Sequence, residues 1–583
     1  MRSTYLLMAP LFAFICPLSA ADQAADLHKL FDDYWQFRLK RDPERATYLG
    51  DHRYDDRVYN FSELARLGEL EIYRRFKRRL DAINPEQLTG DDAISAKLFN
   101  RTLVETIELG EYPEHLMPIK QQESPQIAWG MIQTNHPFRT PRDCENYALR
   151  LRGFSKQVDD LIAVMDEGIR KGIVRPKITI EQALPQFDNL LTDDPAQSVL
   201  AEPAKKLTPE AWDDTSRNII VEATANAMKS VRRLRDYLKT TYLPKCRDTV
   251  GYSHLPGGKE WYRRLARHHT TTALSPETIH QIGLDELARI HAEMRKIAAE
   301  VGFKGDLKAF IYKMRTDPAQ HNKTPEEIMR RHAEILKRSD ANLPKMFGVL
   351  PRTPCELKEM EPFRAAAAPE AYYYNAPDDG SRPAYFYVNT YLPETRPIYT
   401  MEALAYHEAQ PGHHLQIAIA QEKKGWPAFR RFEHITAFIE GWALYSERLG
   451  YDLGGYKDPY SRYGQLTFDT WRSSRLVVDT GMHYFGWSRQ KAIDFMKDNT
   501  GLSEQNIISE VDRYIAWPGQ ALGYKIGQLE ILKLRAEAEV ALGERFDIRS
   551  FHDCLLEDGS VPLDMLREKV EKWIAVQKAY DRR

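Results

Sequence analysis

Residues 407 to 414 read His-Glu-Ala-Gln-Pro-Gly-His-His, placing imidazoles at 407, 413 and 414 and a carboxylate at 408. Imidazole nitrogens and carboxylate oxygens are typical zinc donors, and a zinc ion that keeps one open position activates water for hydrolysis. The stretch is a widened form of H-E-x-x-H, in which two histidines one turn apart bind zinc and the glutamate acts as base.

The widening sets a geometric problem. His407 and His413 are six residues apart, which on an undistorted helix of about 100° per residue puts them on nearly opposite faces. Pro411 resolves this, because its ring clashes with the carbonyl four residues back, that of His407. Gly412 tolerates backbone angles that other residues resist. The helix should break there and swing His413 back towards His407. His414 is the rival ligand, since a spacing of seven restores the face. That spacing separates the Cα atoms by about 10 Å of rise, against about 6 Å in the ordinary motif, so His413 is preferred. Glu408 is the expected base, taking a proton from the activated water and passing it to the leaving amine.

A third ligand is needed, and Glu440 is the candidate. It lies in Phe438-Ile-Glu-Gly-Trp-Ala-Leu-Tyr-Ser-Glu447, where a carboxylate among apolar residues needs a partner. An ion pair with Arg448 or Arg472 is the plainer alternative. Glu447 is seven residues on, on the same helical face, and could hold a ligand histidine. Gly441 would allow Glu440's helix to pack closely on the helix of the first histidine. The donor set also suits manganese, cobalt or iron.

The elements that must position these groups are mostly helices. Apolar periodicity predicts helices over 22–40, 62–82, 90–109, 141–170 and 214–239. Thr208-Pro209, Ser275-Pro276 and Thr324-Pro325 each put a cap before a first-turn proline, and Glu327 completes a capping box with Thr324. The aromatic runs 371–375 and 384–389 bracket Pro377-Asp-Asp-Gly380 and predict a β-hairpin or a pair of short strands. Thr400 is placed to cap the helix carrying His407, and Gly450 to end the helix carrying Glu440. A small sheet therefore adjoins the metal-binding helix, and an edge strand there could bind an extended peptide.

The chain has 583 residues, 43% hydrophobic and 28% charged, with 82 basic against 84 acidic side chains. No basic excess points to nucleic acid. Glycines and Pro256 near 250–272 mark a soft boundary between an N-terminal helical lobe (22–270) and a C-terminal catalytic lobe (271–583), expected to act as one cooperative unit around a deep cleft. Arg2, the short apolar run Tyr5–Pro17 and Ser19-Ala-Ala21 read as a signal peptide cleaved before Asp22, hence export to a periplasmic or extracellular space. Cys16 is a poor lipid acceptor, because Ile15 stands where a small residue is expected. No later apolar run is long enough to span a bilayer. Cys144, Cys246, Cys355 and Cys554 form no C-x-x-C pair, and either disulfides or buried thiols are compatible with them.

The pattern H-E-x-x-P-G-H-x-x-Q over His407–Gln416, followed by E-G-W-A-x-Y-x-E over Glu440–Glu447, resembles the family labelled domain of unknown function 885. The likeness covers most of the chain. It extends to Asp378–Pro383 with Asn389, to Thr480–His483 with Gly486-Trp487, and to Arg513–Gly527. Members of this family look like distant relatives of helical zinc peptidases such as thimet oligopeptidase, carboxypeptidase Taq and angiotensin-converting enzyme. The resemblance implies a mostly α fold, a large two-lobed helical body with a long cleft, one zinc ion and peptidase activity. It assigns metal roles to His407, His413 and Glu440, and the base role to Glu408. By likeness to the wider group, His483 and Tyr524 are candidates to donate to the oxyanion. Arg513 and Lys525 are candidates to hold a substrate carboxylate, with Asn389 as a further substrate contact. The Pro-Gly step departs from the well-studied peptidases, so their specificities are not carried over.

The leading expectation is an exported zinc metallopeptidase acting on short peptides, as a dipeptidase or carboxypeptidase. One alternative is a metal-dependent hydrolase of a non-peptide amide or ester. Another is a non-catalytic peptide- or metal-binding protein, against which the intact Glu408 argues.

Overall fold

The computed structural model describes residues 20–207, 213–360, 365, 369–377, 380 and 382–579. Residues 1–19 with Cys16, the Thr208-Pro209 cap, Asp378, Asp379 and Ser381 lie outside them.

The protein is mostly α. Helix α1 (Ala20–Arg41) and the short α2 (Pro43–Tyr48) open the described chain. Helices follow at Glu63–Asp81, Gly90–Gly110, Pro141–Arg152, Phe154–Lys171 and Asp214–Tyr237. The single helix predicted over 141–170 is thus two, parted at Gly153, where a Cβ would stand 2.7 Å from Val58 Cγ2. The later helices that matter here are α3 (Pro276–Glu300), α4 (Met401–Glu408), α5 (His413–Gln421), α6 (Thr436–Leu449), α7 (Pro459–His483), α8 (Glu504–Ala516), α9 (Leu522–Leu542) and α10 (Leu563–Ala579). Ser275 caps α3 through Thr278 N–H, as its sequence predicts. Thr324 accepts from Glu327 N–H, but the Glu327 carboxylate accepts from Lys323 N–H instead of closing the box.

The predicted strand pair is present and has a third member. Strands β1 (Cys355–Glu359), β2 (Ala371–Tyr374) and β3 (Ala384–Val388) form one sheet in the order β1-β3-β2. β2 pairs antiparallel with β3, Tyr373 opposite Phe386, while β1 pairs parallel with β3. β1 is short and largely charged, which hid it from pattern reading. β2 is left as an edge.

The largest core runs across the chain. Leu27, Leu30, Phe31 and Tyr34 of α1 share it with Phe438 and Trp442 of α6 and with Val570 of α10. Phe31 packs at 4.9 Å from Phe429 and 5.3 Å from Phe99. Burying each such ring contributes about 2 kcal/mol, so the first helix is welded to the segment that leads into α6. A second cluster, Ile119 to Tyr242, is built mainly from the helices between 125 and 242. The four cysteines of the described chain are free thiols. No helix among the described residues is long and apolar enough to cross a membrane.

Candidate metal centre

α4 ends at Glu408 and α5 begins at His413, so the Pro-Gly step does break the helix. The Gln410–Pro411 peptide is cis. The chain folds back tightly enough that a Cβ on Gly412 would lie 2.0 Å from the His407 carbonyl oxygen. Only glycine fits there. α6 holds the step in place: the Trp442 indole N–H and the Ser446 hydroxyl both donate to the Pro411 carbonyl, at 2.9 and 3.3 Å. Thr400 does not cap α4. It sits in an αR conformation, and its hydroxyl donates to Pro397 O.

The fold-back brings His407, His413 and Glu440 together, with one ligand atom of each within 4.8 Å of the others. Glu440 Oε2 is 3.7 Å from His407 Nε2 and 3.4 Å from His413 Nε2. Ligands about 2.1 Å from a tetrahedral ion stand roughly 3.4 Å apart, so the spacing suits one ion. His407 Nδ1–H donates to Glu447 Oε1 at 2.8 Å. In the neutral ring this leaves the Nε2 lone pair facing a carboxylate oxygen. Two acceptors so placed require a cation between them, a proton or a metal. The imidazole shows the demand: burial pushes it down, but the carboxylates of Glu440 and Glu447 outweigh that and raise it to about 9. Glu440 Oε2 is buried without a hydrogen-bond partner. These residues fit a zinc ion, and the donor set of two imidazoles and a carboxylate leaves a fourth position open.

His414 is not part of the cluster. Its ring is fully buried and points to the Tyr373 hydroxyl, 3.3 Å from Nδ1, and burial lowers it to about 4. Glu408 projects to the sheet, where its Oε2 accepts the Tyr373 backbone N–H at 2.9 Å. Tyr373 N–H belongs to the outer edge of β2. Sequence reading missed this contact because it depends on the β2 register.

Glu440 reaches a cavity of about 580 Å³, lined also by Arg45 and Tyr48 of α2, by Arg513, by Gln520 and by Tyr524. Gly441 and Gly527 let α6 and α9 touch: a Cβ on Gly527 would lie 1.9 Å from Ala437 O, and one on Gly441 2.6 Å from Gly527 Cα. Gly441 therefore packs on α9, not on the first histidine's helix as expected. This contact sets Tyr524 beside Glu440. Burial, and secondly the Glu440 charge, push its phenol up. Arg513 lines the cavity with its charge balanced by Glu510, which it contacts through Nε and Nη2 at 3.2 Å, while Nη1 donates to Gln520 at 2.8 Å.

Three expected site residues are not brought to the centre. His483 is fully buried: Nδ1 accepts Tyr252 N–H at 3.3 Å and Nε2 donates to Tyr514 O at 2.9 Å, so both ring nitrogens are spent on the backbone. Lys525 is 1% exposed and holds Asp469 at 2.6 Å and Glu286 at 2.8 Å. Asn389 is buried and donates to Ala365 O and Pro369 O at 2.7 and 3.1 Å.

This geometry belongs to the motifs that tie the chain to a family, which matches over residues 43–570. The chain belongs to the family described as "Bacterial protein of unknown function (DUF885)". No curated protein matches it. It is 28% identical to the solved "putative lipoprotein from Colwellia psychrerythraea", with a TM-score of 0.87 over 95% of this chain and 99% of that one. The solved "putative lipoprotein of unknown function from Shewanella oneidensis" is 18% identical, with a TM-score of 0.75 over 94% and 99%, and so shares the fold. The "putative oligoendopeptidase F from Bacillus anthracis str. Ames" is 12% identical over 87% and 96%, and its TM-score of 0.27 establishes no common fold with the DUF885 chain.

Proposed function

We propose that this DUF885 protein is a zinc-dependent hydrolase of short peptides, in which His407, His413 and Glu440 hold the ion and Glu408 is the base. One observation carries the reading: two imidazole nitrogens face one orphaned carboxylate oxygen, and one of those rings is clamped from behind by Glu447.

Zinc in this centre supplies Lewis-acid activation of water and of the scissile carbonyl. Glu447 fixes the His407 tautomer so that Nε2 presents its lone pair. The Glu408 carboxylate, steadied by Tyr373 N–H, takes the proton that the attacking water loses and returns it to the departing amine. The outer edge of β2 runs beside that carboxylate, and such an edge suits an extended backbone. Tyr524 of α9 lines the cavity that Glu440 reaches. A cavity of about 580 Å³ is in the range that encloses small molecules and short peptides. Arg513 lines the cavity and is the substrate-carboxylate candidate; Lys525 and Asn389 are not proposed for that role.

The apolar run Tyr5–Pro17 supports export, as do the descriptions of two solved neighbours as lipoproteins. Mass spectrometry of the mature N-terminus distinguishes cleavage before Asp22 from lipid attachment at Cys16.

The deciding experiment is metal analysis of the wild type and His407→Ala, paired with hydrolysis assays on dipeptides, end-blocked tripeptides, acyl amides and esters. One zinc per wild-type chain, its loss in the variant, and peptide cleavage by the wild type alone are expected. A wild type that binds no metal, or one that cleaves only the non-peptide amides and esters, would sink the proposal.

A further inference from the structure

With His483 spent on the backbone, the cavity at Glu440 is lined by one imidazole among the described residues, that of His434. The chain on either side of it is pinned. Phe432 stacks on Trp35 with ring centroids 5.9 Å apart and planes 15° from parallel. Ile435 N–H donates to the Ser560 hydroxyl at 3.2 Å, and α6 begins at the next residue. His434 is exposed, unlike the buried residues that follow it in α6. Its ring lines the cavity beside Glu440; desolvation lowers it, the Glu440 charge opposes that, and the His413 charge adds to it. It thus presents an imidazole to the cavity that Glu440 and Tyr524 also line.

We infer that His434 donates a hydrogen bond to the substrate carbonyl oxygen as negative charge develops there. The inference rests on the proposed hydrolase reading. The step balances simply. The water oxygen bonds to the carbonyl carbon, the π pair moves onto the carbonyl oxygen, and Glu408 takes the water proton. The His434 N–H meets the oxygen that has gained the pair, and Tyr524 faces the same volume from α9. Such a donor strengthens only as charge appears, which is why it accelerates the reaction instead of tightening ground-state binding.

The test compares wild type, His434→Ala and His434→Gln for zinc content, kcat, KM and affinity for a phosphinic dipeptide analogue, Ala-Ala with the peptide link replaced by a PO2–CH2 group. Affinity for plain Ala-Ala is measured in the Glu408→Gln background. The expected result is a fall in kcat of about 100-fold in His434→Ala, within the range for loss of one such donor. Phosphinate affinity should fall with it, zinc content and Ala-Ala affinity should hold, and Gln, which keeps an N–H, should recover part of the loss. Unchanged kcat and phosphinate affinity would overturn the assignment. Loss of zinc in His434→Ala would also overturn it, by making the residue a ligand. A wild type that holds zinc but cleaves no peptide ends the peptidase reading alone, and the phosphinate comparison still decides His434.

Discussion

Glu447 Oε1 stands 2.8 Å from His407 Nδ1, and both side chains are buried. The two residues are forty positions apart in the chain, on α4 and α6, and α6 also carries Glu440. One helix therefore supplies a candidate ligand, the carboxylate that holds a candidate ligand histidine, and the two donors that grip the Pro411 carbonyl.

Removing that clamp should loosen the metal. Glu447→Ala is expected to weaken zinc binding by about 10- to 100-fold, read by competition with a chromophoric chelator. Glu447→Gln, which still offers an oxygen to Nδ1–H, should lose less. Equal affinity in all three proteins would mean the contact does not orient His407.

Base and ligand separate by substitution. Glu408→Gln should keep its zinc and lose hydrolysis by about 10²- to 10⁴-fold. Full activity in that variant would remove Glu408 from the chemistry, whatever the metal content.

The α6–α9 contact tolerates no side chain. Gly527→Ala puts a Cβ against the Ala437 carbonyl, where neither backbone can yield locally. Overpacking of this kind costs about 1–3 kcal/mol, and it should part Glu440 from Tyr524. Denaturant unfolding and zinc titration would both register it; a variant with wild-type values in both would show that the helices can slide without consequence.

Lys525 is a structural cation. Lys525→Met leaves the buried Asp469 and the part-buried Glu286 with Arg289 as their remaining cation, a change that costs about 1–3 kcal/mol. Unfolding should show the loss, with KM for peptides unchanged in the folded fraction. A raised KM at wild-type stability would restore the substrate role.

His483 should matter for acid stability. Burial lowers its ring to about 3 from an ordinary 6.5, so the fold favours the neutral form. Its contribution is complete above pH 6.5 and is lost as the pH falls from 6.5 towards 3. His483→Gln, which can donate and accept without titrating, should flatten the melting temperature across that window and leave zinc content intact. An unaltered pH slope would contradict the assignment.

Much of the fold and centre could be read along the chain. The helical class followed from periodicity, and the break at 409–412 from the clash Pro411 must make. Glu440 stood out as a carboxylate in an apolar helix, and the aromatic strands β2 and β3 as a pair. Each of these signals is local: a clash between neighbours, a repeat of 3.6 or 2, or a charge among apolar residues. β1 escaped because its strand character comes from pairing beside β3, not from its own residues.

What the amino-acid order alone determined was which groups exist and how the backbone must bend to offer them: His407, Glu408 and His413 around a proline-glycine break, and Glu440 with Glu447 on one helical face. Only the tertiary structure decided where the polar side chains spend their hydrogen bonds. His483 and Lys525 carry the same chemistry as a catalytic donor or a substrate clamp, yet packing surrounds them with backbone and carboxylate partners, while His434 is turned to the cavity. A residue type states what a group can do. The neighbours that desolvate it, over distances in sequence no local pattern spans, determine whether it is free to do it.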